Sequence, residues 1–454
     1  MRWEYSKTAN TKVLTTDETG ASSTLRIARE PLRKLTIVFH HAGGGHRNAA
    51  EAVRGILTSQ NQGAQNHAVP SQTTPDHPRQ NQSRLKQSQR NHSWEVELLD
   101  FQQLLDSLDL IRRVSGIRIQ DVYNQILRHG WTRFTPQLLR VLQGTIRAYH
   151  VPIVKLLREH WEKHPTDMVL SVIPHFNREI ADSLRRETIR TPFVTLITDL
   201  ADYPPHFWIE RESEYIIAGT ERARAQAVAL GHASDHVFVT SGMVLKPRFY
   251  EEGSFALTAE NRIAERERLG LEADCPTGIV LFGGHGSSVM VDIVKRLDQI
   301  AASVQLILIC GHNRKLEAEI KALATRKPKL VLGFTGNVEH YMALADFFIG
   351  KPGPGSISEA LQFHLPVIVE CNNKTLPQER YNAEWVAQRG FGIVVPTFKE
   401  IASAVERLIE PSAFDEFCRK TKSYSNRALF EVAEILEKCY ERSAAQEVEQ
   451  TQHV

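Results

Sequence analysis

Short, wholly apolar runs alternate along this chain with stretches whose apolar positions recur every three or four residues. The first run is Leu35–Phe39 (LTIVF), and Ala49, Ala50, Val53, Ile56 and Leu57 follow it at helical spacing. Strand-like runs return at Trp94–Phe101, Met168–Ile173, Phe193–Thr198, Tyr215–Ala218 and Val237–Thr240, with helical patterns from Leu104, Phe176 and Glu221. The rhythm breaks at Phe249–Phe255. It restarts with Gly278–Phe282, Leu306–Cys310, Leu330–Gly333, Phe347–Ile349, Pro366–Val369 and Gly392–Val395. Runs that are apolar throughout belong to strands covered on both faces, the environment of a parallel sheet wrapped by helices. The pattern predicts an α/β protein of two Rossmann-like, doubly wound parallel-sheet domains facing a cleft, with ligands at the carboxyl ends of the strands.

The boundaries follow from where the buriable pattern stops. Residues 1–30 are polar and aperiodic and read as a disordered arm. The first domain is expected over 31–247 and the second over 256–410. Residues 411–454 read as helices, with a last turn expected to pack back on the first domain, and a frayed tail rich in Gln and Glu. Within the first domain, 59–93 is a low-complexity insertion of Gln, Asn, Ser, His and Pro with almost nothing to bury.

Composition excludes more than it selects. A chain of 454 residues, 42% hydrophobic and 24% charged, exceeds what one core organises, and a net charge of +2 points to no polyanionic or polycationic partner. Its five cysteines are odd in number and contain no CxxC pair, which argues against a disulfide framework or a zinc site and fits a reducing cytoplasm. With no run of eighteen apolar residues and no signal-peptide core, any membrane contact is expected to be peripheral.

Charge changes the picture only locally. Between Ile111 and Arg158 nine basic residues stand against one acid, Asp121, interleaved with Ile117, Tyr123, Trp131, Phe134 and Leu138. Such a segment is either a solvated helix face or a contact with an anionic membrane surface. At about 1 kcal/mol per cation close to the leaflet, the second alternative gives reversible association.

The chemistry gathers where strands end in glycine. Lys351–Glu359 (KPGPGSISE) runs from an apolar strand into a helix expected to open at Ser356, a geometry that aims backbone N–H groups and the positive end of a helix at one anion. Glu359, three residues beyond Ser356, has capping-box spacing and is alternatively a partner for ribose hydroxyls. The AGGGHR loop places His46 near a helix N-terminus, where a neutral imidazole with an ordinary pKa of about 6.5 can act as a general base. Gly44 and Gly45 let a substrate approach the backbone. Asp199, at the end of its strand, could orient His46, hold an acceptor hydroxyl or cap a turn. The polar start of Gln378-Glu379-Arg380-Tyr381-Asn382 could reach sugar hydroxyls or be an ordinary exposed helix start. The GGHGSS turn lacks the GxGxxG spacing, and no GKS or GKT follows a glycine loop. No DxD pair offers to hold a metal diphosphate, and the spacing of His40, His41 and His206 supports no metal site.

Taken in order, GGGHR, TDL at Thr198–Leu200, GGxG at the second domain, CGHN at Cys310–Asn313, Gly333-Phe334, KPGPGSISEA and QExxN at Gln378–Asn382 resemble the monogalactosyldiacylglycerol synthase and processive diacylglycerol glucosyltransferase family. These are inverting glycosyltransferases of the two-Rossmann GT-B fold, related to the enzyme that adds GlcNAc to lipid I. The resemblance covers roughly residues 35–410. It implies a UDP-hexose donor, a diacylglycerol acceptor, no cofactor or metal, and peripheral association with the inner face of the cell membrane. It implies His46 as base and Asp199 as the acid of the TDL motif. Gly284, Gly286, Pro354, Gly355, Ser356 and Ile357 would lie on the diphosphate, Phe334 and Val338 beside the uracil, and Glu359 on ribose. Gln378, Glu379 and Asn382 would hold the sugar, and the basic segment would meet acceptor and membrane. The sequence departs from the family pattern at YPPHFW (His206, Trp208) and at Glu370–Pro377 (ECNNKTLP), which leaves acceptor and sugar identity open. A non-hydrolysing UDP-sugar epimerase and a catalytically silent UDP-sugar-binding protein are the alternatives.

Overall fold

A computed structural model of the chain describes residues 32–41, 44–66, 94–106, 143–185, 191–251 and 257–452. The expected arm, residues 67–93 of the expected insertion and residues 111–142 of the basic segment lie outside the described residues.

Two six-stranded sheets carry the structure, and every strand pairing in them is parallel. The first contains β1 (Arg33–Phe39), β2 (Trp94–Asp100), β3 (Met168–Ser171), β4 (Phe193–Leu196), β5 (Tyr215–Ala218) and β6 (Val237–Val239), in the order β2-β1-β3-β4-β5-β6. The second contains β7 (Thr277–Leu281), β8 (Gln305–Ile309), β9 (Lys329–Leu332), β10 (Phe347–Gly350), β11 (Val367–Glu370) and β12 (Gly392–Val395), in the order β12-β11-β10-β7-β8-β9. Strands β3, β4, β5, β7, β8 and β10 are buried at every residue, which is why they read as unbroken apolar runs.

The strand orders place two crevices. In the first sheet the chain leaves β1 on one side for β2 and returns on the other for β3; in the second, β7 stands between β8 and β10. Such reversal points open a cleft beyond the carboxyl ends of the two central strands. The segments emerging there include 40–41, 44–46 and 172–177 in one domain, and 282–288 and 351–356 in the other.

The helix Ala428–Gln452 ties the chain's end to the first domain. Leu429, Val432, Leu436 and Cys439 are buried in the same core as Leu35, Val53 and Ile217. Glu437 pairs with Arg33 at 3.2 Å and accepts from the Trp94 indole, while Glu431 accepts from the Ser241 amide at 2.7 Å. More than the last turn packs back, because Leu429, Val432, Leu436 and Cys439 keep helical spacing along one face, and the helix continues to Gln452 where a frayed tail was expected. Among the described residues no helix is long and apolar enough to cross a membrane.

Candidate active site

In the first domain the site is built on a tryptophan. Asp202 accepts the backbone amides of His206, Phe207 and Trp208 at 3.1, 3.0 and 2.7 Å, and the Asn177 side chain donates to the Trp208 carbonyl at 2.8 Å. The indole held this way is fully buried, and its Nε1 donates to Asp199 at 2.8 Å. Burial pushes the Asp199 carboxyl up to about 7; the Trp208 hydrogen bond opposes the shift and the Glu379 carboxylate reinforces it.

His46 is the second residue of the helix Gly45–Asn66, which Gly44 enters at φ +77°. Its ring lies 5.6 Å from that of Trp208, and the Thr198 hydroxyl is 3.1 Å from its Nδ1. Thr198 and not Asp199 therefore takes the hydrogen-bonding place beside the imidazole, and Asp199 reaches it through the indole. Burial lowers the His46 pKa to about 4, against a hydrogen bond to the Val172 backbone that raises it. His40, with its ring 4.4 Å from that of His46, and His175 are both lowered to about 3, first by burial. This corner therefore holds uncharged imidazoles at neutral pH.

In the second domain, Gly283 and Gly286 turn the chain at φ +73° and +59° after β7. The His312 amide donates to the Gly284 carbonyl at 2.8 Å, which locks this turn to the CGHN turn. A methyl group on Gly284 would meet nothing within 4 Å, so its face is open, whereas one on Gly286 would strike the Cys310 carbonyl at 2.8 Å. Phe334 is 64% exposed, with one face stacked on His312 at 4.1 Å and an interplanar angle of 14°. Val338 begins the helix Val338–Leu344 and packs against the core.

The KPGPGSISE helix spans Pro354–Gln362, with Gly353 and not Ser356 at its N-cap, so Glu359 does not complete a capping box. Pro354 has no N–H, and the Ile357 amide donates to the Gly353 carbonyl at 3.1 Å, which leaves the first-turn amides of Gly355 and Ser356 without an intrahelical acceptor. Ile357 is buried in the core. Glu359 is half-buried, and its carboxyl is pushed up to about 7 by burial, against the pull of Lys246.

The helix Pro377–Arg389 buries the residues expected to meet the sugar. Glu379 accepts from Lys351 at 2.7 Å, and Gln378 is buried beside it in sequence. Asn382 is fully buried and donates to the Pro352 carbonyl at 2.8 Å, with its Oδ1 left without a hydrogen bond. Its amide nitrogen is thus engaged by the KPG turn. The two domains meet through Tyr203 and Tyr381, whose rings lie 6.1 Å apart. The ammonium of Lys351 and the carboxylate of Glu379 both act on Asp199 across the cleft. Lys351, Thr198 and Trp208 received no role from sequence, although each lies within or near a motif. Among the described residues no group of three or more His, Cys, Asp or Glu side chains could hold a metal ion.

Residues 278–438 match the glycosyltransferase family 28 C-terminal domain. The chain is 26% identical over 395 residues to monogalactosyldiacylglycerol synthase 1 of Arabidopsis thaliana, covering 84% of this chain and 66% of the relative. It is 26% identical over 307 residues to the monogalactosyldiacylglycerol synthase of Spinacia oleracea, covering 64% of this chain and 56% of the relative. The chain thus spans somewhat less than two thirds of these relatives' own lengths. Acinetobacter baumannii MurG shares the fold with a TM-score of 0.54 at 13% identity, over 89% of this chain and 99% of that one. A UDP-GlcNAc 2-epimerase of Neisseria meningitidis, solved with UDP-GlcNAc, shares it equally, at 0.54 and 13%, over 90% and 100%. The chain is a GT-B protein that carries a glycosyltransferase family 28 C-terminal domain and is homologous to the monogalactosyldiacylglycerol synthases.

Proposed function

We propose that the protein is an inverting glycosyltransferase that moves a hexose from a UDP-sugar to diacylglycerol at the cytoplasmic leaflet of a membrane. The observation that carries this is the meeting of two reversal-point crevices, one lined by neutral imidazoles and Asp199, the other by glycine turns and an open helix N-terminus. The homologous synthases support the lipid acceptor and the family 28 domain supports the nucleotide-sugar donor. The basic segment, whose support is the sequence alone, is assigned to the anionic membrane surface.

Donor binds the second domain. Gly284, Gly286 and Pro354–Ile357 surround its diphosphate, Phe334 and Val338 border the uracil, Glu359 takes the ribose, and Gln378 and Glu379 face the hexose. Main-chain amides and a helix N-terminus meet the diphosphate and take part of its charge. Acceptor enters beside Gly44 and Gly45, and His46 takes its hydroxyl proton. The hydroxyl oxygen bonds to the anomeric carbon from the face opposite UDP, and the bond from that carbon to the β-phosphate breaks, its electron pair leaving with UDP. Closure of the cleft excludes the water that would hydrolyse the donor.

The test is incubation of purified protein with radiolabelled UDP-glucose and UDP-galactose over diacylglycerol vesicles, with EDTA present. The expected product is a β-linked hexosyl diacylglycerol. Epimerised UDP-sugar formed without acceptor would mark an epimerase, and tight donor binding with neither transfer nor hydrolysis a silent binding protein.

A further inference from the structure

Lys351 opens the KPGPGSISE stretch and so far has no part in the chemistry. It emerges from β10 at the reversal point of the second sheet. A methyl group on Gly353 would lie 3.5 Å from its Cε and one on Gly283 would lie 3.8 Å away, so the side chain ends between the two glycine turns. Its Nζ is 2.7 Å from Glu379 Oε1, with 45% of the Lys351 side chain exposed against 10% for Glu379. The pair is an accessible cation laid over a nearly buried carboxylate. Glu379, ahead of burial and of Asp199, decides the Lys351 pKa and raises it, so the ammonium stays charged through the neutral range.

A nucleoside diphosphate hexose complements both members of this pair, offering anionic oxygens to the ammonium and hydroxyls to the carboxylate. The amides of Gly355 and Ser356, with a helix end worth about half an elementary charge, do not balance the charge a departing diphosphate gains. We propose that Lys351 is a catalytic residue that exchanges Glu379 for the donor's diphosphate, holds the leaving group's new charge, and by leaving Glu379 releases that carboxylate to the hexose hydroxyls. A lysine suits this exchange because its charge is compact and rides on a flexible stem. The inference rests on the donor site proposed above. It adds a consequence: UDP without its sugar takes the ammonium and leaves the Glu379 carboxylate buried without a partner, whereas the whole donor satisfies both.

The experiment is calorimetric titration of the full chain and of Lys351→Ala, Lys351→Arg and Glu379→Gln with uridine, UDP, UDP-glucose and UDP-galactose, with thermal melts as a folding control. Lys351→Ala is expected to weaken UDP by about ten- to a hundredfold and uridine by less than twofold, with partial recovery in Lys351→Arg. Transfer at saturating donor should fall by about 10²- to 10³-fold in Lys351→Ala. Glu379→Gln is expected to tighten UDP and to lose the preference for UDP-hexose over UDP. UDP affinity unchanged in Lys351→Ala, or uridine and UDP weakened together, overturns the inference alone. A wild-type chain that binds neither UDP nor UDP-hexose overturns the donor site as well.

Discussion

The Trp208 indole donates to Asp199 at 2.8 Å while its ring lies 5.6 Å from that of His46, so the proposed acid and base of the first domain are linked through an aromatic ring. The arrangement separates their titrations. Burial lowers His46 to about 4 and raises Asp199 to about 7, so between pH 5 and pH 9 the imidazole is already neutral and Asp199 is the group that ionises. A carboxylate supports the imidazolium formed when His46 takes a proton, and a carboxylic acid does not. The transfer kcat/KM should therefore rise with pH through about 7 and then level off. In Asp199→Asn that limb should disappear; a limb near neutrality that survives the substitution assigns it to Glu359, whose carboxyl is likewise pushed up to about 7.

The same raised pKa predicts a stability effect of definite sign. The native carboxyl binds its proton up to about 7, far above its ordinary 3.8, so the folded state holds more protons than the unfolded chain in between. The contribution of Asp199 to stability is complete below the unfolded value and is lost as pH rises to about 7. Asp199→Asn should thus melt above the wild type at pH 8 and close to it at pH 4. Equal melting temperatures at pH 8 would show that the carboxylate is not desolvated.

Two neighbouring glycines should part company. At Gly284 a methyl group meets nothing, so Gly284→Ala should change stability by less than about 0.5 kcal/mol while weakening UDP, because the new group stands on the open face proposed for the donor. At Gly286, φ is +59° and the methyl group strikes the Cys310 carbonyl at 2.8 Å. Gly286→Ala should cost about 1–3 kcal/mol of backbone strain in denaturant unfolding. Equal unfolding midpoints for the two variants would contradict this.

Away from the cleft, Asp346 accepts from Arg262 and Arg266 at 2.7 and 2.8 Å and from the Thr277 amide at 2.8 Å. The Arg266 side chain is 4% exposed and otherwise bonds backbone carbonyls at Leu344 and Ala273. Asp346→Ala would leave a buried guanidinium without its counterion and should destabilise the second domain by about 3–5 kcal/mol in urea unfolding. A loss under 1 kcal/mol would mean that the carbonyls alone satisfy the guanidinium.

What sequence made legible was whatever burial imposes on consecutive residues. Phe347–Ile349 is apolar at each position because helices cover both faces of β10, and the first and last glycines of GGHG, Gly283 and Gly286, stand where φ turns positive. Contacts between distant positions left no such trace. The indole of Trp208 reaches Asp199 only because Asp202 gathers three amides of the intervening loop. Asn382 looked like an exposed polar residue of a helix start, yet the turn of the helix carries it under Pro352. The partnership of Lys351 with Glu379 joins two motifs that read as separate. Pro354, which fits the first turn of a helix and lacks the N–H a cap would bond, opens the helix two residues before the expected Ser356.

The central claim is that the second domain grips a sugar diphosphate by its main chain at the reversal point beside β7 and β10. A crystal of the full chain soaked with UDP measures it most directly. The account predicts the β-phosphate within hydrogen-bonding distance of the Gly355 and Ser356 amides and against Gly284, with the uracil on the free face of Phe334. UDP bound elsewhere, or absent from that corner at saturating concentration, would contradict it.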